Sequence, residues 1–476
     1  MKSFFRTLPA VAAAAMLAAP IAAQTGVDRT KRPASATTAT LKFPAVTRRA
    51  LPNGLKLAVL ENHELPLVSV QVIVEARGLL DPPDKDGLVT ILQRMLSEGT
   101  TSKTADQIAE LSADLGSPVA PTFFNAVTPN VDRALELMSD QLMHPAFPPA
   151  ALDRQKANEI ATLKRLQDQP AYIADRLFSK VVYGPGHPYE RTRTEQSLNA
   201  ITRDDLVKFH DAYYRPQNVT IVVAGDITPG DAASKIEKAF GSWAKGGVTT
   251  KYDIPPVRPG EPTKIYLFDR PNSPQSVLQV GEIGPRRDNP DYYAIEIANS
   301  ILGGVFNSRI NLNLRERHAF TYGASSGFLW RAVPEVGTFR AFTQVVTPKT
   351  DSALVELVNE IKDIRGTRPI TPAELEFAHS QQTRSLPLQL ETLGAMTAAV
   401  ADVLRNNLPA DYYDKVTANM LGVTLGQANA ATQKYIDPDH LAIVVVGDRL
   451  QIESRLRAAN IAPVVVVDVN GNPVAP

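Results

Sequence analysis

The residues best suited to hydrolytic or metal chemistry are thinly spread along this chain. Its seven histidines, His63, His144, His187, His210, His318, His379 and His440, never come within four positions of each other. A helix that grips a metal needs two imidazoles one turn apart, and a bound zinc needs three or four converging ligands. The chain has no cysteine, which removes thiolate ligands, Cys nucleophiles and disulfides together. One segment reads, by its residues alone, as an ordinary amphipathic helix: residues 87–100, GLVTILQRMLSEGT. It sets Thr90, Gln93 and Arg94 on one helical face, at i, i+3 and i+4. Thr and Gln are poor zinc ligands, and the permanent cation of Arg94 repels a metal. Gln93 cannot take a proton from water. The expectation is that this chain holds no metal.

The elements that would position these groups recur. One strand-like run, Val219 to Ala224, ends in Gly225-Asp226, and another, Leu441 to Val446, ends in Gly447-Asp448. Each follows a helical pattern, a Tyr and a Pro-marked turn. The openings match as well: a strand from Val68 to Val74 and one from Ser276 to Val280 each lead through an acidic, Pro-containing loop into a helix. Two landmarks in the same order, each displaced by a little over two hundred residues, indicate a duplicated domain. Helices are expected at 87–97, 105–115, 130–142, 150–166, 171–182 and 203–213. Strands, then runs of helices, then a closing strand favour an α+β class over regular βαβ alternation.

At 476 residues, the chain exceeds the size one core supports. Lys+Arg and Asp+Glu balance at 50 each, which argues against nucleic acid or an anionic membrane as the main partner. Lys2 and Arg6, the apolar run from Leu8 to Ala19, and small residues up to Ala23 read as a signal peptide over 1–23. That run is too short for a permanent span, and a lipid anchor would need a cysteine. A periplasmic location without a membrane anchor follows. The remaining expected segments are a leader at 24–45, a first domain at 46–244, a linker at 245–262, a second domain at 263–460 and a tail at 461–476. The linker is rich in Pro and Gly and is expected to carry few contacts.

The 87–100 segment resembles the zinc helix of the insulinase/pitrilysin-type peptidases, Gly-x-x-His-x-x-Glu-His-Met followed by Gly-Thr. Thr90, Gln93 and Arg94 stand at the His, Glu and His positions. A further Glu ligand of the family falls near Thr162, and Glu159 lies roughly one turn away. The second half reads Leu302-Gly303-Gly304-Val305-Phe306-Asn307-Ser308-Arg309-Ile310, then Leu314-Arg315-Glu316 and Tyr322. This is similar to the family's C-terminal signature, whose Arg and Tyr contact substrate carbonyls; these roles pass by resemblance to Arg315 and Tyr322.

The resemblance covers about 51–449 and implies two homologous α/β-roll domains forming a clam-like shell. It implies a non-catalytic, substrate-binding subunit of a heterodimeric zinc peptidase acting on peptides. The zinc would sit in a homologous partner carrying His-x-x-Glu-His, and no catalytic residue would belong to this chain alone. A non-enzymatic scaffold of the same fold, and a self-contained peptidase with a metal site built from distant segments, stay open at this point. Gly186-His187-Pro188-Tyr189 reads as a structural loop. Between Leu115 and Asn125 the chain is shorter than the family pattern, where strands of active members border the cleft.

Overall fold

The computed structural model describes residues 43–257 and 260–474. The signal peptide and nearly all of the leader lie outside the described residues. The first half builds a five-stranded sheet from β1 (Val46–Ala50), β2 (Lys56–Glu61), β3 (Leu67–Val74), β4 (Phe123–Val127) and β5 (Val219–Gly225), in the order β1-β2-β5-β3-β4. The second half builds a six-stranded sheet from β6 (Lys264–Asp269), β7 (Gln275–Arg286), β8 (Ala324–Leu329), β9 (Val336–Val346), β10 (Ala442–Gly447) and β11 (Val464–Val467), in the order β11-β6-β10-β7-β9-β8.

The duplication is plain in the pairing. β5 runs parallel to β2 and antiparallel to β3, and β10 runs parallel to β6 and antiparallel to β7. β4 and β9 then flank β3 and β7, both antiparallel. Each continues through a Thr-Pro 3-10 turn, Thr128–Asn130 or Thr347–Lys349, into a helix. The class is α+β, with helices and two sheets in one duplicated arrangement.

The central strands β5 and β10 are buried along their whole length, because both faces of each sheet are covered. Successive side chains on a strand point to opposite faces. Val219, Ile221 and Val223 therefore join the core formed by the first half's own helices, while Val222 and Ala224 face the other way. What covers that other face comes from the opposite half. Val400 and Ala401, on helix Leu393–Arg405, pack against Ala58, Leu60, Ile73, Val222 and Ala224. Reciprocally, Ile173, Ala174, Leu177 and Phe178, on helix Pro170–Tyr183, pack against Val277, Val444, Val446 and Val467. The halves lend each other one helix.

Two features differ from the sequence expectations, and a third agrees with them. The stretch read as a tail contains β11, four consecutive valines laid parallel beside β6, as β-branched residues favour. The linker has no regular structure but is tied to the first half: the Val248 N–H donates to Ala212 O at 2.8 Å, and the Tyr252 hydroxyl donates to Glu75 O at 2.9 Å. The shortened segment before Asn125 leaves the first sheet without a counterpart of β8, so β4 forms its edge. Expected helices end within two residues of those observed, and the first half's helices Glu195–Ala200 and Pro229–Phe240 were not anticipated.

Candidate functional site

Helix Leu88–Met95 begins where Gly87 turns the chain at φ 103°. The Asp81 carboxylate caps it, accepting from the N–H groups of Gly87 at 2.7 Å and Val89 at 2.9 Å. Burial pushes the Asp81 carboxyl above its ordinary pKa, partly offset by those two donors. Leu88, Ile91, Leu92 and Met95 lock one side into the core, which turns Thr90, Gln93 and Arg94 outward. The sequence places all three correctly on one face.

What meets that face was not anticipated. Glu159, on helix Pro149–Gln167, is buried, its side chain only 3% exposed. Its Oε2 lies 2.6 Å from Arg94 Nη2, and its other oxygen pairs closely with Arg193. Glu159 therefore turns toward the helix rather than away from it, its charge shared by two guanidinium groups. Those residues do not fit a divalent cation, since the one nearby carboxylate is already neutralised and an arginine occupies a ligand position. Among the described residues no group of three His, Asp or Glu side chains is arranged to hold a metal. The histidines serve elsewhere: His63 lies between Glu61 at 2.8 Å and Asp226 at 2.7 Å, and His210 bonds Leu142 O at 2.8 Å. His187 stacks on Tyr183 with centroids 4.8 Å apart.

Gln93 faces a cleft of about 480 Å³ between the halves. The end of β3 forms one wall and the segment joining β8 to β9 forms the other. Buried Glu335 of that segment pairs with Arg77 beyond β3. Desolvation raises the Glu335 carboxyl, opposed by the Arg77 charge. A second, open pocket of about 580 Å³ lies against Glu282, Arg286 and Lys434, away from this helix.

Arg315 and Tyr322 stand apart from that cleft; neither lines it. Arg315 sits on a π-helical turn, Leu312–Arg317, with its guanidinium 4.5 Å from the exposed Phe306 ring. Such turns recur at functional sites. Its Nη1 is buried without a hydrogen-bond partner, and the nearest carboxylate, Glu316, is 3.6 Å away. Tyr322 is 93% exposed. Asn311, which sequence reasoning did not single out, ties the two segments together. Its Nδ2 donates to Phe306 O at 2.7 Å and its Oδ1 accepts from Ala324 N at 3.0 Å. Its place inside the 302–323 stretch, between Phe306 and Arg315, was the available signal. Tyr322 precedes β8, whereas Leu329 at the other end of that strand lines the cleft. At about 3.3 Å per residue they are roughly 20 Å apart. The Arg–Tyr pair and the degenerate helix face thus belong to two separate places on one chain.

The chain is thus a duplicated α+β fold whose helix face at Thr90, Gln93 and Arg94 is closed by an ion pair with Glu159. Comparison with known proteins gives the family. The model described as "Insulinase (Peptidase family M16)" matches residues 56–185, and "Peptidase M16 inactive domain" matches residues 200–382. The chain belongs to this insulinase family, as an inactive-type member. It is 26% identical to a Bacillus subtilis protein named "Uncharacterized zinc protease YmxG", over 73% of this chain and 85% of that one. It is 20% identical to the Helicobacter pylori "Non-peptidase homolog YmxG", over 87% and 96%. A solved structure, a peptidase M16 inactive domain from Pseudomonas fluorescens, superposes with a TM-score of 0.77 at 25% identity, covering 85% of this chain and 98% of that one.

Proposed function

We propose that this chain is the non-catalytic, substrate-binding subunit of a two-chain periplasmic zinc peptidase. A homologous partner with an intact His-x-x-Glu-His helix would supply the metal, and Arg315 and Tyr322 would complete its active site across the interface. The observation supporting this reading is the coexistence of a closed face at Arg94–Glu159–Arg193 with, elsewhere, an Arg315 whose Nη1 lacks a hydrogen-bond partner and an exposed Tyr322. A guanidinium fork suits paired peptide carbonyl acceptors. A tyrosine hydroxyl is a donor for a carbonyl oxygen as negative charge grows on it, and its value increases once an interface excludes water. Here the Tyr322 ring is almost fully in solvent, which suits a group that is covered only on assembly. The signal-peptide reading of residues 1–23 supports the periplasm, and the substrates would be peptides in extended form.

The test is to purify this chain alone and together with a co-expressed partner carrying His-x-x-Glu-His. The lone chain is expected to bind no stoichiometric zinc and to cleave no peptide, while the pair cleaves. In the pair, Arg315→Ala or Tyr322→Phe should lower kcat by about a hundredfold or more, with the melting temperature unchanged for Tyr322→Phe because that ring is in solvent. Hydrolysis by the lone chain would end the proposal. Full activity of a pair containing both substitutions would leave a scaffold role.

A further inference from the structure

Phe306 is a large apolar ring left 62% exposed, so core packing does not account for it. The group that meets its face is the Arg315 guanidinium, 4.5 Å from the ring centroid. The backbone beneath the ring is fixed from several sides. Gly303 approaches β8 so closely that a Cβ there would collide with the backbone nitrogen of Ser326. At Gly304 a Cβ would come within 2.9 Å of Asn299 Nδ2, at the end of helix Tyr292–Asn299. Just beyond, the Ser308 N–H donates to Val305 O at 3.1 Å, and Asn311 Nδ2 donates to Phe306 O at 2.7 Å. A turn wedged and tied in this way presents its side chain from a fixed base.

Arg315 needs such a base. Its Nη1 is out of contact with water and makes no hydrogen bond, and Glu316 Oε1 stands 3.6 Å from it. That separation exceeds the length of an N–H···O bond, about 2.7–3.2 Å. Glu316 is also 53% exposed, so solvent screens its attraction. What remains opposite the charge is the negative face of the Phe306 ring. A long arginine side chain loses much rotamer freedom when it is held in one geometry. A group that orders it before substrate arrives removes that cost from the reaction.

We propose that Phe306 is a positioning residue for Arg315: its ring holds the guanidinium by a cation–π contact, so that the remaining N–H groups are ordered for a peptide carbonyl. Phe306 itself touches no reacting atom. The inference rests on the role proposed above for Arg315 and adds the group that fixes that arginine in space. Assembly strengthens the contact, because a cation over an aromatic face is held more firmly once water is excluded. Leucine is the discriminating substitution, being apolar and able to fill much of the same space without a π face. Tyrosine keeps the ring and is the conservative control.

The experiment has two arms. In the first, the isolated full chain is labelled with phenylglyoxal, an arginine reagent, and the rate at Arg315 is read by peptide mass spectrometry against exposed Arg405. Phe306→Leu should speed labelling of Arg315 about threefold, the scale of an exposed cation–π contact, and Phe306→Tyr should leave it unchanged. In the second arm, the co-expressed pair carries the same substitutions. Phe306→Leu should lower kcat about tenfold with assembly affinity and melting temperature unchanged, and Phe306→Tyr should restore it. In an Arg315→Ala background the leucine substitution should add less than about twofold, since the two residues act as one unit. An unchanged labelling rate in Phe306→Leu, a full kcat in that variant, or an undiminished loss without Arg315 would overturn the proposal. A wild-type pair that never cleaves would instead sink the two-chain reading, and the labelling arm would still decide whether Phe306 holds Arg315.

Discussion

Glu159 is the residue on which the metal face turns. Its side chain is nearly inaccessible, yet the two arginines it serves keep contact with solvent, at 42% exposure for Arg94 and 33% for Arg193. Replacing it by Ala strands two cations against each other, and the partial screening moderates the penalty. Glu159→Ala should lower unfolding stability by about 1–3 kcal/mol. Arg94→Ala, which leaves Arg193 still paired, should cost less than about 1 kcal/mol; urea titration measures both. The shared helical face of Thr90, Gln93 and Arg94 was legible in the sequence, because their spacing follows the helical period. The role of Glu159 was not, because a residue three positions from the matching Thr162 can turn to either side of its helix, and only the packing of helix Pro149–Gln167 decides which. Arg315 and Tyr322 were singled out only through the resemblance of the signature around them, whereas the Arg315 Nη1 without a hydrogen-bond partner and the Asn311 tether depend on turns with no sequence period of their own.

At the scale of elements, the first half's main helices and the strands that open and close each half follow from apolar periodicity and turn chemistry, and the repeated strand-Gly-Asp closings revealed the duplication. The exchange of helices did not show, since an amphipathic pattern gives the buried face of a helix but not the sheet it meets. Phe178 makes the exchange testable. It is fully buried on a first-half helix against second-half strands, so Phe178→Ala should cost about 3–5 kcal/mol, read as a lower denaturation midpoint in a single transition. β7 offers a pH test. Burial raises the carboxyl of Glu282 to about 8, from an ordinary 4.5, against the opposing Asp437 N–H at 2.6 Å. The folded state therefore holds this proton more tightly than the unfolded chain. Its contribution is full below the unfolded pKa and is lost as pH rises toward and through the folded value. Glu282→Gln should consequently gain stability over the wild type as pH rises from about 5 to about 8, by denaturant titration at both values.

For the whole molecule, the borrowed helices mean that neither half closes its own sheet. A fragment of residues 46–244 would expose Ala58, Leu60, Ile73, Val222 and Ala224 on one face. It should aggregate or bind a hydrophobic dye when expressed alone, and recover a cooperative melt when co-expressed with residues 263–476. Two fragments that each fold independently, with sharp separate transitions, would contradict this reading of the packing.

The same crossed arms restrict how such a molecule can move. A body stitched along its midline by two oily seams has no flexible crease there, so it is poorly built to yawn and shut around cargo by itself. Whatever gate controls entry to the proposed two-chain chamber then lies where one chain meets another, and the rhythm of admission and release becomes a matter of how firmly two rigid shells hold together.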